Sequence, residues 1–234
     1  MNEAKKTNEI RGDFFIKQYL SGKVIDIGAG DSLVCVGAEN FDQKDGDANH
    51  ITKYRELNAY DTVHSSHCLE HMHEPEKALL EWWKLLKPSG YLVLVVPDED
   101  LYEQGFWPSR FNVDHKATFT LKKEKSWSPV SYNIFDLVLS LKNSEIVSVE
   151  THDRYYDYNL QTKYPPPKIV KKNPLWFRVF RKISYKLGLN SVRVEKLQNQ
   201  LFFKHQIPID QTMRNAVAQI QIVARKNIIT APNK

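Results

Sequence analysis

Val24-Ile25-Asp26-Ile27-Gly28-Ala29-Gly30 joins a β-branched apolar run to a glycine-rich turn, with an acidic residue inside the run. Gly22 and Gly28 bracket it, which is how a parallel strand buried on both faces reads. Gly28 and Gly30 let the backbone turn tightly and approach a ligand with no Cβ in the way. At the carboxyl end of a central parallel strand, such a turn opens the crevice in which doubly wound sheets bind ligands. A glycine pair also serves ordinary turns, so the surrounding chain must decide between site and loop.

Upstream, Ile10, Phe14, Phe15 and Tyr19 fall near helical spacing, and Glu9 to Leu20 is expected to form a helix leading into the strand. Downstream, Leu33 to Val36, Ala38 to Asp42 and the polar Gln43 to Asn49 leave too little chain for the usual long helix between strands. Tyr60 to Ser66 reads as another inner strand. A helix follows across Pro75 to Leu86, with Ala78, Leu79, Trp82, Trp83 and Leu86 on one broad apolar face. Lys87-Pro88-Ser89-Gly90 ends it, and Tyr91 to Val96 is a continuously apolar strand stopped by Pro97. Val130 to Leu141 is expected as a helix, and Glu145 to Glu150 and Ala218 to Ala224 as strands.

This alternation makes the chain α/β. The expected fold is Rossmann-like and doubly wound, with a mainly parallel sheet and an antiparallel last strand. It is shortened after the first strand and carries a large insertion before the last. With 234 residues and 41% hydrophobic content, residues 1–234 can bury one substantial core as a single domain. Residues 97–129, aromatic and weakly periodic, exceed a simple connection and are expected to form an active-site loop. Residues 152–216 form the insertion, expected to face substrate or membrane.

Cys35 and Cys68 show no paired framework and read as buried free thiols, which fits a reducing cytoplasm. No stretch approaches the roughly 18 apolar residues of a membrane span, and Met1 to Lys6 lacks a secretory apolar core. The expectation is a cytoplasmic protein, at most peripheral to the inner face of a membrane. The formal charge of +5 favours acidic partners, and most of it lies late in the chain.

Taken together, these segments resemble a class I S-adenosylmethionine-dependent methyltransferase, of the type that acts on small molecules and glycans. Asp26 to Gly30 resembles the family's first motif, Gly46-Asp47-Ala48 its adenine-side motif, and Tyr60-Asp61-Thr62-Val63 the strand entering its active site. Leu86 to Tyr91 resembles the turn before the fifth strand. Ser32 stands where a third glycine often falls, and Gly30 to Gly46 is shorter than the family's usual helix, strand, helix and strand. The resemblance implies S-adenosylmethionine as cofactor, held by Asp26, Gly28, Gly30, Asp47, Ala48 and Ser66, with Asp42 taking the ribose hydroxyls. Transfer is then an in-line displacement governed by alignment of acceptor and methyl group.

A base is needed only where the acceptor carries a proton. Imidazole titrates near neutral pH, and His67, His71 and His115 are the candidates. His67 follows the Tyr60 strand, and His115 lies in the long loop with Asp114 or Asp98 to orient it; His67 and His115 are taken as the catalytic pair. His67-Cys68-Leu69-Glu70-His71 also spells the HxxEH pattern of inverted zinc peptidases, in which both histidines share a helix face and Glu70 activates water. No third ligand is evident, and no residue is assigned to a metal.

Residues 168–189 interleave Lys171, Lys172, Arg178, Arg181, Lys182 and Lys186 with Leu175, Trp176, Val179, Ile183 and Leu187, an apolar helical stripe beside basic residues. It suits an anionic membrane surface or a lipid-linked substrate, or else a cap packed on the domain itself. Nucleic acid is disfavoured because no recognition signature accompanies the charge. The expected activity is methyl transfer to a hydroxyl of a small molecule or glycan. RNA and protein acceptors rank lower, and the alternatives are a zinc hydrolase or a noncatalytic binding protein.

Overall fold

The computed structural model describes residues 3–121, 123–162, 175, 176, 179, 183, 208–213 and 215–228. Two helices, α1 (Glu3–Ile10) and α2 (Asp13–Tyr19), precede β1 (Val24–Ile27) and β2 (Glu39–Phe41). After β3 (Tyr60–Ser66) come α3 (Pro75–Leu85), β4 (Leu86–Pro97), β5 (Thr118–Thr120) and β6 (Ser131–Asn133). The chain closes with α4 (Ile134–Leu139), β7 (Ser144–His152) and β8 (Gln219–Lys226).

Six strands form one sheet in the order β2-β1-β3-β4-β8-β7. β1 pairs in parallel with β2 and β3, and β3 with β4, whereas β8 runs antiparallel to both β4 and β7. This is the expected α/β, Rossmann-like sheet with its last strand reversed. The shortening after β1 removes a helix but not a strand: β2 forms with Ile27 opposite Phe41, and the chain between Gly28 and Ala38 is irregular.

The apolar runs are continuous because both faces are covered. Ile25, Ile27, Val63, Leu92, Leu94, Ile220 and Ile222 pack with Leu79 and Trp82 of α3 on one side. Val24, Val93 and Val223 meet Leu20 and Val34 on the other. The Trp82 indole N–H donates to the Ala48 carbonyl at 2.9 Å, which ties α3 to the turn below the sheet's carboxyl edge.

Several element boundaries differ from expectation. The helix expected over Glu9 to Leu20 is broken at Arg11 and Gly12, because Arg11 turns inward and its Nε donates to Gln221 Oε1 of β8 at 2.7 Å. The helix expected from Val130 starts at Ile134: Ser131–Asn133 pairs with β5, and the Asn133 side chain caps the Phe135 N–H. Leu86 belongs to β4, opposite Tyr60, rather than to α3. No helix among the described residues is long and apolar enough to cross a membrane. Leu175, Trp176, Val179 and Ile183 are exposed, while the basic positions expected beside them lie outside the described residues.

Candidate active site

The turn after β1 is built by two left-handed glycines, Gly28 at φ +78° and Gly30 at φ +58°. Gly28 N–H donates to the Phe41 carbonyl at 2.8 Å, and Gly30 N–H to Asp42 Oδ2 at 2.8 Å. Asn40 returns a side-chain N–H to the Gly30 carbonyl at 3.0 Å. The end of β2 thus fixes the turn, and Asp42 sits half-buried against it. On the other side the turn meets the segment after β3, where a Cβ added to Gly28 would lie 2.7 Å from both Cβ and Sγ of Cys68.

Two polar atoms here, Asn40 Oδ1 and Ser66 Oγ, are buried without a hydrogen-bond partner. Native interiors leave few such atoms. A polar ligand seated at this edge of the sheet, such as the amino acid or ribose end of S-adenosylmethionine, would give them partners.

Asp26 stands beneath this turn, 2% exposed. Its Oδ2 accepts the Val34 N–H at 2.7 Å, and its Oδ1 lies 2.6 Å from His64 Nδ1. Arg11 Nη1 lies 3.2 Å from His64 Nε2. Burial holds His64 below its ordinary pKa of 6.5 and brings Arg11 down to about 10, Asp26 opposing both shifts. Asp47 is exposed and caps the turn Ala48–Lys53, accepting from the Asn49 side chain at 2.8 Å and its backbone N–H at 2.9 Å; these bonds hold its carboxyl below the usual range. Ala48 carries the carbonyl bonded by Trp82.

Beyond β3 the chain makes a sharp corner at His67, φ +54°, with its N–H on the Val95 carbonyl. Leu69–His71 is one three-residue 3-10 turn, so His67 and His71 do not share the helix face that the zinc-peptidase reading requires. The long loop returns here: Lys116 and Ala117 N–H both donate to the Glu70 carbonyl, at 2.7 and 3.2 Å, and bring His115 over Glu70. The rings of His71 and His115 meet edge to face at 5.0 Å. With His67, Tyr102 and Phe111 they line a cavity of about 330 Å³, to which Asp210 and Thr212 contribute from the segment before β8.

The orienting carboxylates are not those expected. His115 Nδ1 is 2.7 Å from buried Glu103, while Asp114 bonds His71 Nδ1 at 2.9 Å. Glu103 ends a wide helical turn, Glu99–Glu103, that brings it back over the loop; no spacing in the sequence pairs it with His115. Asp98 caps that turn, accepting from Asp100 and Leu101 N–H at 2.9 and 3.1 Å.

Burial, reinforced by Asp100, raises the Asp98 carboxyl to about 6. The folded state therefore holds a proton that the unfolded chain releases near pH 3.8. Stability from this group is lost as pH rises from about 4 to 6 and does not return above that. Asp98→Asn keeps a capping oxygen and removes the cost. The variant is expected to gain up to about 3 kcal/mol at pH 8 but little at pH 4, read by urea denaturation at both pH values. An equal effect at the two would show that ionisation of Asp98 is not the cause.

A turn of this build at the carboxyl end of β1, in a sheet with one reversed strand, lies where Rossmann-like sheets bind their ligands. The family model described as "Methyltransferase domain" matches residues 10–127, half of the chain, and the chain belongs to this family of class I S-adenosylmethionine-dependent methyltransferases. No curated protein matches the chain. Among solved structures, a SAM-dependent methyltransferase from Archaeoglobus fulgidus is 17% identical with a TM-score of 0.49, over 97% of this chain and 95% of that one. Phosphoethanolamine N-methyltransferase 2 from Haemonchus contortus, in complex with S-adenosyl-L-methionine, is 13% identical with a TM-score of 0.43, over 91% of this chain and 51% of that one.

Proposed function

We propose that the protein methylates a hydroxyl oxygen of a small molecule or glycan. The observation that carries this reading is the adjacency of the glycine turn to the histidine-lined cavity: Gly28 abuts Cys68, and the next three residues lead to Glu70 and His71. Bound S-adenosylmethionine supplies an electrophilic methyl group on sulfur. Gly28 and Gly30 admit its methionine end, Asp42 accepts from the ribose hydroxyls, and Asp47 and Ala48 flank the adenine. Ser66 takes a polar group at the end of β3, and Asp26 holds the turn from below.

As the acceptor oxygen bonds to the methyl carbon, the carbon–sulfur bond breaks and the hydroxyl proton leaves to a base. His67 and His115, which line one cavity, supply that chemistry, and Tyr102 and Phe111 of the long loop, with Asp210 and Thr212 before β8, border the acceptor's space. The exposed Leu175, Trp176, Val179 and Ile183 support an acceptor carried on a lipid at an anionic surface.

Calorimetric titration with S-adenosylmethionine and S-adenosylhomocysteine is expected to give micromolar binding, weakened at least about tenfold, or 1.4 kcal/mol, in Asp42→Ala. Well-folded protein that binds neither ligand would favour a noncatalytic role. Offering free and lipid-linked hydroxyl acceptors in one assay then separates the two carriers. Normal turnover by both His67→Ala and His115→Ala would refute the assignment of the base.

A further inference from the structure

We propose that Glu70, His71 and His115 bind a divalent transition-metal ion at the acceptor side of the cavity. Glu70 is 1% exposed, and neither carboxylate oxygen has a hydrogen-bond partner. His67 Nδ1 lies 3.5 Å and His115 Nε2 3.9 Å from its Oε1. A buried carboxylate with both oxygens unmatched is costly, and a bound cation removes the cost.

The two histidines are prepared as ligands. Each has its Nδ1 on a carboxylate, His71 on Asp114 at 2.9 Å and His115 on Glu103 at 2.7 Å. A carboxylate can only accept, so Nδ1 carries the hydrogen, and a metal takes Nε2 of the neutral ring. This is the carboxylate–histidine–metal arrangement that fixes tautomer and ring direction at metal sites. One ligand atom from each of Glu70, His71 and His115 can be chosen so that all lie within 4.8 Å of one another. Around a tetrahedral ion at roughly 2.1 Å they would be about 3.4 Å apart, so modest side-chain rotations close the set.

Glu70, Glu103 and Asp114 gather three carboxylates around the two imidazoles, a charge that a dication offsets. Two nitrogens and one oxygen select zinc, manganese, iron(II) or cobalt over magnesium and calcium, which prefer all-oxygen shells. Three protein ligands leave a coordination position facing the cavity. There the ion would hold the acceptor oxygen and lower its pKa, so that His115 acts as a ligand and His67 is left to take the proton. This role rests on the methyltransferase reading; the binding of the ion does not.

The full chain, stripped with chelator, is titrated separately with Zn²⁺ and Mn²⁺ in a calorimeter. One ion per chain with micromolar or tighter affinity is expected. Glu70→Gln should weaken binding at least about 100-fold, and Glu103→Gln about 10- to 100-fold through His115. His73→Gln, on the exposed surface, should bind as wild type does. Each variant's thermal melt and S-adenosylmethionine affinity are measured alongside. No binding of either ion to wild type, or binding that Glu70→Gln leaves unchanged in a folded protein, overturns the proposal. Metal binding without cofactor binding would support the site and sink the methyltransferase reading, whereas the reverse would sink the site alone.

Discussion

Asp26→Ala is expected to lower folding stability by about 3–5 kcal/mol, read by urea denaturation at pH 7. The carboxylate is buried between the Val34 N–H and His64, with Arg11 behind the imidazole. Truncation leaves an amide without its acceptor and a buried guanidinium without its counter-charge. Neither loss can be made up by water, because Arg11 and His64 are themselves buried, at 6% and 1% exposure. A change below about 1 kcal/mol would show that the three groups are not coupled. The same environment sets a pH dependence. His64 has a folded pKa below its unfolded 6.5, so its contribution is present above that pH and is lost as pH falls and the unfolded imidazole takes up a proton. Asp26→Ala is therefore a poor probe of cofactor contact, since weakened binding would accompany weakened folding; Asp42 lies outside this network.

The contrast between Asp26 and Asp42 shows what the sequence could reveal. Strand β3 has the limits its apolar pattern predicts, Tyr60–Ser66, and the glycine turn falls where the run ends. Both depend on neighbours in the chain. Arg11 and Gln221 are buried partners from opposite ends of the chain, and their bond breaks a helix that periodicity alone would continue through Gly12. The site divides in the same way. Gly28, Gly30 and Asp42 lie within fifteen residues, and Gly30 N–H donates to Asp42 at 2.8 Å. The partner of His115 is decided instead by a helical turn that brings Glu103 back over the loop, which hands Asp114 to His71. The HxxEH string was visible, but the absence of a helix at Leu69–His71 changes its meaning: Glu70 and His71 remain together, and His115 rather than His67 completes the set.

Gly28→Ala is expected to reduce S-adenosylmethionine affinity at least about tenfold and to destabilise the fold by about 2–5 kcal/mol, from two separable sources. An alanine at φ +78° bears roughly 1–2 kcal/mol of backbone strain. Its Cβ would also lie 2.7 Å from Cβ and Sγ of Cys68, closer than packed atoms approach, and relief requires the turn or the segment after β3 to move, at about 1–3 kcal/mol. Gly30→Ala provides the comparison: φ is again positive, at +58°, but nothing lies within 4 Å of the added carbon, so only the backbone strain applies. Cys68→Gly in the Gly28→Ala background removes both colliding atoms. If steric displacement of the turn is what harms binding, the double variant regains most of the lost affinity and approaches Gly30→Ala. If its affinity stays at the level of Gly28→Ala, the left-handed backbone at Gly28 is itself the requirement, and the contact with Cys68 plays no part in holding the cofactor.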